Sequence, residues 1–293
     1  MPAKIEIAAP AKINLTLDIK GKRADGYHEL ETIMQQIDLL DHITIESASP
    51  GSIRVDSNSS LIPHNEGNLA YRAAALFLDK YGSGAGVKIF IEKNIPIGAG
   101  LAGGSTDAAA VLWGLNRLLD CGLAKADLLE MAAQIGSDVP FCLLGGSALA
   151  RGRGELLEPL APSVPLLLLL VKPDFQVSTA EVYQQFDLTK VEKFPDTPAF
   201  LESWQHCDII GIAGHMENVL ESVSVRKYPE IALIKEKMKK LGALNVLMSG
   251  SGPSVFGVFK EKGLAMEAME TMKTSYREVF LVSSFEERGG NNY

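Results

Sequence analysis

The sequence predicts an α+β protein with two domains, and three observations lead to this prediction. The chain has 293 residues, which corresponds to one large or two modest domains at roughly 100–200 residues per domain. Pro159, Pro162 and Pro165 interrupt the chain near its middle, where a domain boundary is expected. Strand-like and helix-like segments are mixed along both halves in an α+β pattern. We therefore predict domains over residues 1–160 and 161–293.

The first predicted elements are two strands joined by a turn. Residues 12–19 alternate strictly between polar and apolar side chains, so Lys12 and Asn14 project to the same face. This alternation is typical of a half-buried strand. Turn residues at 24–26 then precede a second apolar run at 33–39. The two runs are predicted to form a hairpin or a meander.

The rest of the N-terminal half contains mainly helices around a glycine-rich loop. The spacing of apolar and breaker residues predicts a helix over 68–81, a strand over 87–92, a glycine loop over 96–106, a helix after this loop with Ser105, Thr106 and Asp107 as capping residues, a helix over 127–135, and a further helix start at 137–140.

The C-terminal half is predicted to contain four strands and several helices. Its elements are a buried strand over 166–171, a helix around Tyr183, a polar linker over 192–198, helices near 215 and over 230–241, strands over 245–248 and 255–259 joined by a glycine turn, a helix over 264–275, and a strand over 279–283.

Composition and charge exclude several classes of function. Twenty-eight basic and 36 acidic residues give a net charge of −8, which argues against broad binding to nucleic acid or to an anionic membrane. The three cysteines are far apart and form no CxxC pair, so neither a disulfide framework nor a zinc cluster is expected. The longest apolar run, residues 166–171, is too short to cross a bilayer. We expect a cytoplasmic protein whose partner is a small molecule bound at a focused site.

The glycine loop is the strongest functional signal, and it matches more than one phosphate-binding template. Gly98, Gly100 and Gly103 have the spacing of a dinucleotide fingerprint, although the next predicted element is a helix where that fold needs a strand. Residues 98–105 also have the spacing of a P-loop, with Gly104 where its lysine would stand. Four glycines within seven residues exceed what a simple turn needs. Phosphate binding is therefore predicted, with the cation supplied from another strand.

Two further residues are candidates for phosphoryl-transfer chemistry. Phosphoryl transfer to an alcohol needs a group that takes or orients the hydroxyl proton and a cation near the transferred group. Asp138 is the candidate base, although its position before a helix also suits an N-cap. Lys12 is the candidate cation, although a lysine on the polar face of a strand can also be a solvent-exposed residue with no role in the chemistry.

Three segments in order resemble the motifs of the GHMP small-molecule kinases. They are residues 10–15 (PAKINL), residues 96–109 (PIGAGLAGGSTDAA) and residues 249–254 (SGSGPS). Residues 21–32 and 135–141 resemble, more narrowly, the branch whose alcohol substrate carries a cytidine diphosphate. The resemblance covers nearly the whole chain.

The resemblance implies a fold, cofactors and site residues. It implies a GHMP kinase fold, with an N-terminal domain like domain 2 of ribosomal protein S5 and a ferredoxin-like C-terminal domain. ATP would be the co-substrate with Mg²⁺, and the protein would be a monomer or a homodimer. Asp138 would be the base and Lys12 its cationic partner; Asn14, Tyr27, His28 and Tyr183 would bind the cytidine substrate. The ATP phosphates would be held by Pro96, Ile97, Gly98, Ala99, Gly100, Leu101, Ala102, Gly103, Gly104, Ser105 and Thr106.

Other functions remain open at this point. A GHMP kinase of the homoserine or mevalonate type would share the same loop and the same acid–base pair, but its substrate has no cytosine. A nicotinamide-dependent dehydrogenase would use the fingerprint that begins at Gly98. The second glycine turn, residues 250–252, is expected either to shape the cleft or to contact substrate directly.

Overall fold

The computed structural model describes residues 4–285, and these form two β-sheets with helices packed against them. The first sheet has the strand order β3-β4-β2-β1-β8, and β5 and β6 extend it from β2. Its strands are β1 (Lys4–Lys22), β2 (His28–Ala48), β3 (Ile53–Ser57), β4 (Gly86–Glu92), β5 (Ser147–Gly152), β6 (Leu156–Pro159) and β8 (Glu217–Asn218).

The second sheet lies in the C-terminal half and is antiparallel throughout, with the order β11-β7-β10-β9. Numbered along the chain from one to four, these strands stand in the order 4-1-3-2, and helices connect the first to the second and the third to the fourth. This is the ferredoxin-like arrangement, which confirms the prediction for this half. Its strands are β7 (Leu167–Lys172), β9 (Asn245–Met248), β10 (Val255–Phe259) and β11 (Glu278–Ser283).

Within the described residues the helices pack on both sheets, and none is long and apolar enough to cross a membrane. They are α1 (Leu69–Tyr81), α2 (Gly103–Leu118), α3 (Lys125–Ile135), α4 (Val139–Leu144), α5 (Thr179–Gln185), α6 (Thr197–Gln205), α7 (Ile209–His215), α8 (Glu221–Lys227), α9 (Pro229–Lys240) and α10 (Lys262–Lys273), with a 3₁₀ turn at Leu188–Lys190.

The hairpin of β1 and β2 is the frame of the first sheet. The two strands pair antiparallel from Lys4 opposite Glu46 to Lys22 opposite His28, as the alternating pattern predicts. The expectation that residues 12–19 form a half-buried strand is wrong, because both faces are buried. The apolar face packs against the C-terminal half. On the polar face, Lys12 pairs with Asp138 and donates to Asn14, and a Cβ on Gly250 would lie 3.4 Å from Asn14 Oδ1.

The start of α2 also differs from the prediction. Ser105, Thr106 and Asp107 were expected to cap this helix, but it begins earlier, at Gly103, and these residues lie within its first turns. Ala102 occupies the N-cap position with a positive φ of 55° and no side-chain cap hydrogen bond. The chain therefore turns directly from the glycine loop into the helix, and the backbone alone forms the helix start.

Several elements were not predicted from the sequence, among them β3, β5, β6, β8, α6 and α8. Strands β3, β5 and β6 are short, and β5 is rich in small residues, so their propensity signals are weak. They are strands because they pair with β4, β2 and β5 respectively. Helix α6 begins inside the predicted polar linker of residues 192–198 and buries Phe200 and Trp204.

The predicted boundary near residue 160 stays a prediction, since the two halves share structure. Strand β8 from the second half pairs parallel with β1, with Thr16 opposite Glu217. One buried cluster contains Ile13 of β1, Trp204 of α6 and Phe256 of β10. This shared core fixes the position of the C-terminal half against the apolar face of β1.

Candidate active site

A cleft of about 400 Å³ opens between the β1–β2 hairpin, the glycine loop, the start of α4 and the loops of the C-terminal half. Most of the residues singled out from the sequence line it. Tyr27, His28, Ser105 and Thr106 do not. The predicted residues in its wall are Lys12, Asn14, Pro96, Ile97, Gly98, Ala99, Gly100, Leu101, Ala102, Gly103, Gly104, Asp138 and Tyr183.

Lys12 and Asp138 face each other across the cleft. The distance between Lys12 Nζ and Asp138 Oδ2 is 3.4 Å, and the side chains are 5% and 38% exposed. Asp138 stands at the N-cap position of α4, but its carboxylate makes no cap hydrogen bond. The capping role that the sequence left open is therefore not used. The carboxylate is free to act on a molecule in the cleft, with a buried ammonium group beside it.

A chain of hydrogen bonds fixes the orientation of Lys12. Its ammonium donates to Asn14 Oδ1 at 2.8 Å, and Asn14 Nδ2 donates to Thr32 Oγ1 at 2.8 Å. The Thr32 hydroxyl in turn donates to the backbone carbonyl of Thr16 at 2.5 Å. Each of these groups is buried, so the chain holds the ammonium in one place without drawing on solvent.

The glycine loop brings the N-terminus of α2 to the cleft. Gly98 and Gly100 have φ angles of 65° and 74°, which allow the tight path of the backbone before Ala102. A helix of 16 residues begins directly after this loop. The free N–H groups of its first turn and its dipole attract anions, so the loop has the form of a phosphate site.

The second glycine turn touches the first. Ser249 Oγ donates to the carbonyl of Gly100 at 3.0 Å, which joins the two loops across the cleft. Asn218 of β8 donates to the carbonyls of Met248 and Gly250, at 2.8 Å each, and so fixes the turn. The turn of residues 250–252 thus shapes the cleft, and Gly250 and Ser251 line it.

We expect Gly100→Ala to weaken ATP binding at least tenfold and to destabilise the protein by about 1–3 kcal/mol. A Cβ at this position would lie 2.4 Å from the Ser249 carbonyl oxygen, and the φ of +74° is unfavourable for alanine. Gly263→Ala in α10 is the matched control, because a Cβ there meets nothing within 4 Å. The measurements are KM for ATP and urea denaturation. Equal effects of the two substitutions would contradict the prediction.

An aromatic group borders the cleft on the side of the β1–β2 turn. The rings of His28 and Tyr183 are 5.4 Å apart between centroids, and those of His28 and Phe186 are 6.2 Å apart and edge-on. Burial, aided by the charge of Lys22, lowers the pKa of His28. Burial, aided by the charge of Asp138, raises the pKa of Tyr183. Both rings are therefore neutral near pH 7, which suits an uncharged planar ligand.

Sequence reasoning missed a buried ion-pair cluster below the glycine loop. The ammonium of Lys93, which follows β4, donates to Asp41 and, at 2.8 Å, to Asp107 Oδ2. Asp41 also accepts from the backbone N–H groups of Asn94 and Ile95 at 2.6 and 2.8 Å. Burial, with a smaller contribution from the charge of Asp41, raises the pKa of Asp107, and the charge of Lys93 opposes this rise.

The cluster also places a lysine next to the glycine loop. The sequence predicted that a cation from another strand replaces the missing P-loop lysine, with Lys12 as the candidate. Lys93 is a second lysine from outside the loop that lies close to it. A Cβ added to Gly103 would lie only 2.8 Å from Lys93 Nζ. No spacing rule connects Asp41, Lys93 and Asp107. The local signal in the sequence is the position of Lys93 directly before residues 94–98, a segment with a proline and a glycine that interrupt regular secondary structure.

Two family models match the chain. The GHMP kinases N terminal domain model matches residues 68–146 and the GHMP kinases C terminal model matches residues 206–278, which together are more than half of the chain. A homoserine kinase from Cytophaga hutchinsonii shares the fold, with a TM-score of 0.78 over 97% of this chain and 95% of its own at 21% identity. The fold and the cleft are those of a GHMP kinase.

Similar proteins narrow the class further. A 4-diphosphocytidyl-2-C-methyl-D-erythritol kinase from Syntrophomonas wolfei subsp. wolfei is 62% identical over 97% of this chain and 100% of its own length. One from Alkaliphilus metalliredigens is 46% identical over 97% and 98%. A crystal structure of a 4-(cytidine 5'-diphospho)-2C-methyl-D-erythritol kinase is 36% identical over 96% of this chain and 100% of its own, with a TM-score of 0.81. The chain belongs to the family of 4-diphosphocytidyl-2-C-methyl-D-erythritol kinases.

Proposed function

We propose that the protein transfers the γ-phosphoryl group of ATP to the 2-hydroxyl of 4-diphosphocytidyl-2-C-methyl-D-erythritol, which gives the 2-phosphate and ADP. The family membership supports this substrate. The observation that carries the chemistry is the pairing of Lys12 with Asp138 at 3.4 Å in a cleft that also contains the glycine loop.

Asp138 is proposed to be the general base. Its carboxylate reaches the cleft and makes no hydrogen bond to the helix that it precedes. As the substrate hydroxyl oxygen bonds to the γ-phosphorus, the carboxylate takes the hydroxyl proton, and the bond from that phosphorus to the β-phosphate oxygen breaks. The ammonium of Lys12, 3.4 Å from Asp138 Oδ2, holds the carboxylate towards the hydroxyl.

The glycine loop is proposed to hold the ATP phosphates. Residues 96–104 line the cleft and lead into the N-terminus of α2, whose free N–H groups favour an anion. The proposed contact set is smaller than the sequence set of 96–106. Thr106 is wholly buried inside the helix, and neither Ser105 nor Thr106 lines the cleft.

Magnesium is proposed to enter with ATP. Among residues 4–285, no three or more His, Cys, Asp or Glu side chains are grouped so that they could hold a metal ion. The residues at the loop fit an ion carried by phosphate oxygens and water, since Thr106 Oγ1 is buried and Asp107 is engaged by Lys93. Ser105 is partly exposed at the helix start but does not line the cleft, so phosphate oxygens and water would supply most of the ligands of such an ion. The bound ion would neutralise phosphate charge.

The cytidine moiety is proposed to bind between the β1–β2 turn and α5. Tyr183 lines the cleft and packs on His28, while Tyr27 exposes 53% of its surface beside them. Such rings supply stacking faces, and a neutral imidazole supplies one donor and one acceptor for a cytosine edge. Asn14 lines the same cleft.

The test is a phosphorylation assay with a panel of alcohols. The purified protein is incubated with Mg-ATP and either the cytidyl substrate, homoserine or mevalonate, and ADP release and the new phosphate monoester are followed by phosphorus NMR. Phosphorylation of the cytidyl substrate alone is expected. Turnover of homoserine or mevalonate instead would retain the kinase chemistry and overturn the proposed acceptor.

A further inference from the structure

The turn between β5 and β6 brings a cation to the acceptor side of the cleft. Arg153 and Gly154 line the cleft, and a Cβ on Gly154 would lie 3.9 Å from the carbonyl oxygen of Ser137, the residue before the proposed base. The guanidinium carbon of Arg153 lies 5.0 Å from the centre of the Tyr27 ring. Arg153 therefore stands between the proposed cytosine site and the proposed site of phosphoryl transfer.

The other cations of the cleft are already neutralised. Among the described residues, the lysines and arginines that line it are Lys12, Lys93 and Arg153. Lys12 is paired with Asp138 and donates to Asn14, and Lys93 is paired with two buried carboxylates.

Arg153 is held more loosely than these two lysines. Its ion pair with Glu155 has a distance of 3.7 Å between Arg153 Nε and Glu155 Oε1, which is beyond hydrogen-bond distance, and its charge also acts on the carboxylate of Asp25. Within the part of the chain that the structure describes, no acceptor lies within hydrogen-bond distance of its guanidinium. The planar fork of five N–H donors is thus available to a ligand.

The backbone around Arg153 is held firmly. Its N–H donates to Glu155 Oε2 at 2.6 Å, and the N–H of Gly152 donates to Glu29 Oε1 at 3.1 Å. The face of Tyr27 orients the guanidinium by a cation–π contact. The Arg153 side chain is only 33% exposed, so its conformational freedom is already restricted in the free protein. It therefore loses less conformational entropy when a ligand binds.

We propose that Arg153 binds the diphosphate of the acceptor substrate and is a specificity-determining residue for it. This inference rests on the proposed function. The cytidyl group and the reacting alcohol are joined by two phosphates, and a substrate that spans from Tyr27 to Asp138 places those phosphates beside Arg153. A guanidinium fork matches two phosphate oxygens at once.

The test compares Arg153→Gln with Arg151→Gln. Arg151 is the matched control, since it lies on β5 two residues earlier, pairs with Glu31 and Glu158 and does not line the cleft. Binding of 4-diphosphocytidyl-2-C-methyl-D-erythritol and of cytidine is measured by calorimetry without ATP. Arg153→Gln is expected to weaken binding of the diphosphate ligand about 10- to 100-fold and that of cytidine less than about threefold. Arg151→Gln changes neither ligand by more than about twofold.

Kinetics separate this role from a structural one. Arg153→Gln is expected to raise KM for the acceptor, with KM for ATP unchanged and kcat within about threefold of the wild type, because the lost contact acts equally on bound substrate and transition state. Arg153→Lys recovers part of the loss, since it keeps the charge without the fork.

Several outcomes would overturn the inference. They are unchanged acceptor binding in Arg153→Gln, equal weakening for cytidine and for the diphosphate ligand, or an equal effect of Arg151→Gln. If the wild-type protein does not bind the diphosphate ligand, the proposed function fails as well. Normal wild-type turnover with no effect of Arg153→Gln overturns this inference alone.

Discussion

Asp138→Asn is expected to lower kcat by about 10²- to 10⁴-fold, while the variant still folds and binds ATP and the acceptor. The amide keeps the shape of the carboxylate but cannot take the hydroxyl proton. The fold is expected to tolerate it, because the Asp138 side chain is 38% exposed and makes no cap hydrogen bond to α4. The ammonium of Lys12 also keeps its hydrogen bond to Asn14.

The control and the readouts make this result specific to the chemical step. Asp79→Asn on the exposed face of α1 removes one negative charge far from the cleft, and we expect its kcat to stay within twofold of the wild type. Single-turnover kinetics measure the chemical step, and equilibrium binding shows whether both substrates are retained. Turnover by Asp138→Asn within threefold of the wild type would exclude Asp138 as the base.

Much of the fold was predictable from the sequence because its patterns are local. Strands β9 and β10 have the predicted bounds, and α3 ends at Ile135 before Gly136 as predicted. The same local reasoning misjudged α2, where hydroxyl residues suggested caps but Ala102 in a left-handed conformation begins the helix. It also underestimated the burial of β1, because Asp138 and Gly250, which lie beside its polar face, are more than 80 positions away in the chain.

The candidate site was predictable only in part, since part of it depends on tertiary contacts. Asp138 and the glycine loop carry sequence signals that the structure brings to one cleft. Arg153 carried no signal, because it is a single arginine in a short turn whose partner, Tyr27, lies in a different turn of the first sheet. The Lys93 cluster joins residues 41, 93 and 107, and no periodicity relates them.

Lys93→Met is expected to destabilise the protein by about 3–5 kcal/mol, as the loss of one partner from a buried ion pair usually does. The side chain of Lys93 is 6% exposed, and those of Asp41 and Asp107 are 0% and 3% exposed. Methionine fills a similar volume, but it leaves two neighbouring carboxylates without a cation. Urea denaturation of the variant and of the wild type measures the difference.

Two further variants show whether buried charge, and not lost packing, causes the effect. Lys88→Met replaces an exposed lysine on β4, the strand that Lys93 follows, and is expected to change stability by no more than about 0.5 kcal/mol. In the double variant Lys93→Met with Asp107→Asn, one of the two carboxylates is removed, so at least 1 kcal/mol of the loss should be regained. If the two effects simply add, the lysine stabilises the fold through its contacts alone. Because Lys93 Nζ lies beside Gly103, weaker ATP binding is expected to accompany the loss of stability.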